Sequence, residues 1–167
     1  MNESALHPAS ESAQRFFGKY RGVVTDVDAS TMRIKAKVPA VFGDADSGWA
    51  LPCVPYAGDS VGIAFLPETD AEVWIEFEAG NPSYPIWAGG FWLNNSVPSD
   101  AAAAVKVIVT KQTKILLDDD QDSITVQDSN GNSVTLDSSG ITLTRGSQTV
   151  HVTDSEVNVN NGALEVT

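Results

Sequence analysis

No aromatic side chain lies beyond Trp92; all six Phe, three Tyr and four Trp sit in the first part of this 167-residue chain. The last third carries aliphatic pairs instead, each spaced i, i+2. They are Val107/Val109, Ile115/Leu117, Ile124/Val126, Val134/Leu136, Ile141/Leu143, Val150/Val152, Val157/Val159 and Leu164/Val166. Residues two apart point to the same side of a strand, so each pair marks one face of one short strand. Turn-forming stretches separate the pairs: Asp118-Asp119-Asp120, Asn130-Gly131-Asn132, Ser138-Ser139-Gly140, Arg145-Gly146 and Asn160-Asn161-Gly162. Gly accepts positive φ, and Asn, Asp and Ser bond their own backbone, so the pattern predicts a run of very short strands. A single thin sheet buries such pairs on one face only. Three copies wrapped about an axis would bury them almost completely, and Val, Ile and Leu fit a narrow axis where Phe or Trp would not. The expectation is therefore an intertwined trimeric β-helix over residues 105–167, with these sixteen side chains as its core. Asn130-Gly131 is also a good hairpin signal, which keeps a one-chain antiparallel meander as the competing reading.

The first part reads differently. Residues 1–19 are expected to form an N-terminal arm, with Phe16 and Phe17 suited to a helical turn. Strand signals begin at Tyr20 and continue to Val27. Over residues 31–38, Met32, Ile34, Ala36 and Val38 alternate with Arg33, Lys35 and Lys37, which predicts a half-buried strand with a basic outer stripe. A long Gly- and Pro-containing connection covers residues 39–60. Further strands are predicted over 61–66, 72–78 and 85–92, the last kinked at Gly89-Gly90. Five strands in so short a span suit a small closed OB-type barrel at 20–92, because closure removes the free sheet edges. Residues 93–104 are read as a linker too short for another domain. The expected fold class is all-β: a five-stranded OB-type barrel followed by the β-helix needle.

Charge narrows the function. The formal net charge is −12. Up to Ala104 the balance is 6 − 13 = −7, and beyond it 4 − 9 = −5. Neither part offers the concentrated positive surface that phosphate binding needs, so no nucleic-acid partner is expected. The runner-up reading is an OB-fold nucleic-acid-binding protein with an oligomerising tail, using Arg33, Lys35 and Lys37. Its weakness is that no stacking aromatic alternates with that stripe. The lone Cys53 cannot form an internal disulfide and is read as a buried structural thiol. With only His7 and His151 in the chain, no nucleophile–base pair is evident, and His151, flanked by Val150 and Val152, should face outward. Asp118 to Asp122 lacks the glycine of a calcium loop and reads as a solvated turn. Trp49, Trp74, Trp87 and Trp92 are read as barrel core and subunit contacts. No enzyme activity, cofactor or metal is expected. The start of the chain shows no secretory signal pattern, so synthesis in the cytoplasm without a signal peptide is expected.

Several segments carry a family likeness: Tyr20-Arg-Gly-Val-Val-Thr-Asp-Val-Asp28, Arg33-Ile-Lys-Ala-Lys-Val-Pro39, Trp49-Ala-Leu-Pro-Cys-Val-Pro-Tyr-Ala-Gly58, Phe65-Leu-Pro-Glu68, Glu72-Val-Trp-Ile-Glu-Phe-Glu-Ala-Gly80 and Pro85-Ile-Trp-Ala-Gly89. Lys114-Ile-Leu-Leu-Asp-Asp119, Asp128-Ser-Asn-Gly-Asn-Ser-Val-Thr-Leu-Asp137 and Gly140-Ile-Thr-Leu143 extend it into the tail. The chain resembles the central spikes of contractile tails, the phage baseplate assembly protein V type shared with type VI secretion and extracellular injection systems. The resemblance implies a homotrimer in a virion or extracellular particle, at the tail baseplate. It implies barrels docked on the hub protein and a needle driven through the target cell envelope when the sheath contracts. Three departures stand out. The turn that usually reads Gly-Asp-Glu-Val is Asp70-Ala71-Glu72-Val73 here. The 93–104 linker has no room for a lysozyme domain. The segment Gly162–Thr167 lacks a His-x-His metal site, so a separate PAAR-like tip protein is expected at the apex.

Overall fold

The computed structural model describes residues 14–93 and 96–166. The expected arm therefore falls largely outside the described residues. The chain divides into two compact units, Met1–Asn95 and Ser96–Thr167.

The first unit contains β1 (Tyr20–Asp28), β2 (Arg33–Lys37), a single helical turn α1 (Pro39–Phe42), β3 (Leu51–Pro52), β4 (Ala57–Gly58), β5 (Val61–Gly62), β6 (Glu72–Phe77) and β7 (Pro85–Gly90). Five of the strands form one sheet in the order β2-β1-β6-β7-β3. The alternation seen in sequence sets its inner face. Ile34, Ala36 and Val38 pack with Val24, Val73, Ile75, Phe77 and Trp87 in the core, while Arg33, Lys35 and Lys37 stay on the outside. Trp87 is buried with its indole Nε1–H donating to the Met32 carbonyl at 3.2 Å. The buried Ser47 hydroxyl accepts from the Ala36 amide at 3.0 Å and donates to the Gly48 carbonyl at 2.8 Å, so this core polar group is satisfied.

Three local expectations are corrected. Phe16 and Phe17 form no helical turn; the Phe16 amide donates to the Gly80 carbonyl at 2.8 Å, and its ring packs against Tyr20 and Phe77. The strand predicted over 61–66 shrinks to β5, which pairs only with β4 in a separate two-stranded hairpin. Val61, Ile63 and Phe65 alternate as strand residues do, but no layer covers them and all three remain exposed. The fifth place in the sheet is taken by β3, parallel to β7, from within the stretch read as a connection. Pro52 obscured it in the sequence, yet an edge strand tolerates proline because one side needs no amide donor. The departure at Asp70 is also resolved. Asp70 adopts φ +69, the region glycine favours, and its amide donates to the Val24 carbonyl at 2.9 Å. Aspartate enters that region more readily than most residues, so it is tolerated at this turn.

The second unit contains β8 (Val105–Val109), β9 (Thr113–Asp118), β10 (Ser123–Asp128), β11 (Ser133–Asp137), β12 (Gly140–Arg145), β13 (Gln148–Val152), β14 (Val157–Val159) and β15 (Leu164–Val166). All eight lie in one antiparallel sheet, in sequence order. The strand ladder thus pairs within the chain, as the Asn130-Gly131 signal indicated, and not strand by strand with sister chains. Turn chemistry decides this. The turns between strands are two to four residues long. At the β10–β11 turn the Asp128 carboxylate accepts from the backbone amides of Asn130 and Asn132, both at 2.9 Å. Such Asx contacts fix the reversal locally, before any sister molecule is needed. What the chain leaves unmet is the sheet's face: among the described residues of this unit, none is buried.

Candidate assembly surface

The registers between β9 and β15 bring the aliphatic pairs into two unbroken rows. One row runs Ile115, Val126, Val134, Leu143, Val150, Val159, Leu164. The other runs Leu117, Ile124, Leu136, Ile141, Val152, Val157, Val166. Directly opposed residues share a face, so the rows form one strip, two side chains wide and seven strands long. At ordinary strand spacing that is about 29 Å long and roughly 7 Å wide. Leu117, Ile124, Val126 and Leu143 each keep 41–45% of their surface open to solvent.

Fourteen of the sixteen expected core residues lie in this strip. Val107 and Val109 do not. The β8 register sets Val107 opposite Leu116 and Val109 opposite Lys114, on the reverse face, and Ile108 opposite Ile115. Ile108 therefore prolongs the first row and was missed. In Val105-Lys-Val-Ile-Val109 the odd positions are all valine and the even ones include Lys106, so period two favours the face that the register turns outward. Over β10–β14 the reverse face is polar: Thr125, Thr135, Thr142, His151 and Asn158 line up across the strands. His151 thus points away from the aliphatic strip.

Polar residues border the strip at the strand ends. Arg145 donates from Nη1 to Asn132 Oδ1 at 2.8 Å, and Asn132 Nδ2 donates to Asp128 Oδ2 at 2.6 Å. These contacts shift acidities. The Asn132 side-chain bond holds Asp128 below the usual aspartate range, and Ser139 does the same for Asp137. In the first unit, the Ser30 hydroxyl leads the groups that lower Asp28 to about 2. A carboxylate whose folded acidity is stronger than its unfolded one stabilises above the ordinary range. That contribution disappears as pH falls through the folded value. The protein should therefore lose thermal stability on acidification from about pH 4 towards pH 2. Asp128→Asn should remove part of the drop. Melting curves across this range check it, and a midpoint flat with pH would contradict it.

Among the described residues no group of three or more His, Cys, Asp or Glu is placed to hold a metal ion. Cys53 corrects the expectation of a buried thiol: it follows the edge strand β3 and is exposed. Among the described residues of the first unit there is no histidine to activate it. The basic stripe is partly occupied from within its own unit. Lys35 Nζ lies 3.4 Å from Asp26 Oδ2 and 4.5 Å from the centroid of the Trp49 ring. Trp74 packs against Phe91 with ring centroids 4.7 Å apart, and Trp92 is exposed. The β4–β5 hairpin and its flanks carry a second exposed apolar group, Tyr56, Val61, Ile63 and Phe65.

The second unit thus presents an open aliphatic strip and, among its described residues, buries none. Residues 20–92 match the type VI secretion system/phage-baseplate injector OB domain. Residues 105–165 match the phage baseplate V C-terminal trimerisation domain. No curated protein matches the chain. The β-sheet of the second unit is thus a trimerisation domain, and the chain belongs to the baseplate spike family shared by phage tails and type VI secretion systems.

Proposed function

We propose that this protein is the central spike of a contractile injection machine, at the tail baseplate of a virion or related particle. Three copies pack their aliphatic strips around one axis to form a slender needle. The OB units dock on the hub protein, a PAAR-like tip protein caps the C-terminal apex, and sheath contraction drives the needle through the target envelope. The role is mechanical, without catalysis. The observation that carries this reading is the continuous two-row strip on a sheet that buries nothing by itself. An exposed apolar surface of this extent on a solvated sheet marks an interaction face. The hairpin bearing Tyr56, Val61, Ile63 and Phe65 is the surface we assign to the hub.

Two measurements test the proposal. Sedimentation of the full chain should give a trimer at micromolar concentration; a clean monomer removes the spike reading. The double variant Tyr56→Ser, Phe65→Ser should remain trimeric yet lose incorporation into assembled particles by an order of magnitude or more, because its needle is untouched. Wild-type incorporation would show that the hub binds elsewhere.

A further inference from the structure

Two asparagines of the chain are followed by glycine, in Asn130-Gly131 and Asn161-Gly162. In such a pair the backbone nitrogen after asparagine attacks the side-chain amide carbon, and glycine has no Cβ to obstruct the approach. Both pairs occupy turns of the second unit, the first between β10 and β11 and the second between β14 and β15. Both asparagines are exposed. Their attacking nitrogens differ. Gly162 N donates to Asn158 Oδ1 at 2.9 Å, the ordinary length for an amide hydrogen bond. Gly131 N reaches the Asp128 carbonyl only at 3.3 Å, beyond the usual range. The departing nitrogen is loosely held as well. Asn130 Nδ2 stands 3.4 Å from Asp128 Oδ2, while Asn132 Nδ2 holds the same oxygen at 2.6 Å.

We propose that Asn130 is a site of spontaneous deamidation, and that the modification undoes the β10–β11 hairpin. Solvent base takes the proton of Gly131 N, which bonds to Asn130 Cγ. The Cγ–Nδ2 bond breaks and ammonia leaves, closing a five-membered succinimide. One water then opens the ring. Attack at Cγ gives aspartate on an ordinary backbone. Attack at the main-chain carbonyl carbon gives isoaspartate, with the chain routed through the former side chain. Water enters and ammonia departs, with no oxidant or cofactor. Either product adds a negative charge beside Asp128. Isoaspartate also lengthens the backbone by one methylene between the Asn130 nitrogen and Gly131. The Asp128 carboxylate clamps the amides of Asn130 and Asn132, both at 2.9 Å, on either side of that insertion. A longer chain cannot keep both contacts. Asn132 is also the acceptor for Arg145, and the Gln127–Ser133 and Val126–Val134 pairs come next along the ladder. The damage therefore runs from the turn into the middle of the aliphatic strip.

Peptide mapping by mass spectrometry tests this on the full chain, aged in mildly alkaline heavy-oxygen water so that conversion during ageing is marked. Asn130 should convert about tenfold ahead of Asn161, the ratio expected when one good hydrogen bond must open first. Its products should include isoaspartate, which only ring opening yields. Gly131→Ala keeps Asn130 and has open space for the methyl group, yet sets that group beside the attacking nitrogen, so it should suppress conversion. Asn130 intact after prolonged ageing, or Asn161 converting first, would overturn the assignment. So would aspartate without isoaspartate, or conversion undiminished in Gly131→Ala. The structural consequence has its own readout. The aged fraction carrying isoaspartate should melt lower in the second unit's transition. Asn130→Asp, with the charge and no added methylene, should stay close to the unmodified chain. Equal midpoints for the isoaspartate fraction and the unmodified chain would show that the hairpin survives, which overturns that part of the proposal.

Discussion

Val134→Asp should produce a folded chain that cannot trimerise. Val134 stands opposite Val126 on one side and Leu143 on the other, within the first aliphatic row. In one chain it is only half-buried, so an aspartate there keeps access to water and the sheet should survive. Around the proposed axis the same substitution sets three carboxylates beside a dry seam, and each unpaired buried charge costs several kcal/mol. The expected result is a monomeric mass by light scattering with an unchanged far-ultraviolet sheet signal. Thr135→Asp is the matched control. Thr135 lies on the polar reverse face, within 3.5 Å of the Thr125 hydroxyl, so a charge there should leave the trimer intact. Normal assembly of the Val134 variant, or equal loss in both, would show that the strip is not the seam.

Gly140→Ala should be the most damaging small substitution in the second unit. Gly140 begins β12 at φ +134, a conformation open almost only to glycine. A methyl group there would run into the Val152 carbonyl oxygen and come within 3.0 Å of its carbon. Val152 pairs with Ile141, so relief of the clash must open the β12–β13 ladder at that end. The backbone strain alone is worth on the order of 1–3 kcal/mol per copy. For a unit of this size, each kcal/mol moves the melting midpoint by about 4–8 °C. Calorimetry should show the second unit's transition shifted down well outside error while the first unit's holds. Gly131→Ala offers a contrast: its φ is also positive, but the space around a Cβ is open, so only the conformational cost remains. Equal effects at the two positions would mean that the contact with Val152 is not real.

Much of this was legible in the sequence, and the exceptions share a cause. Period-two alternation identified β2 and β6, because their inner faces meet a real core. The strand expected over 61–66 shrinks to β5, since no layer covers Val61, Ile63 and Phe65. Conversely, β3 is two residues long and contains proline, too little for any periodic signal. The aliphatic pairs revealed the strip but not who pairs with whom. Backbone pairing followed the short Asx-type turns and stayed within the chain, while the side chains still call for sister molecules. Val107 and Val109 were assigned to the wrong face because three valines share the odd positions of β8, while the register sets Ile108 opposite Ile115.

The direction of the backbone hydrogen bonds in the second unit has a mechanical consequence. In an antiparallel sheet they run perpendicular to the strands, and here the strands lie across the long dimension. The ladders therefore run lengthwise. Pushing on such a rod squeezes donor towards acceptor along its whole length and meets stiff resistance. Pulling on it opens one rung at a time from the end, like a zip. A sheet built this way resists compression along its length better than it resists tension.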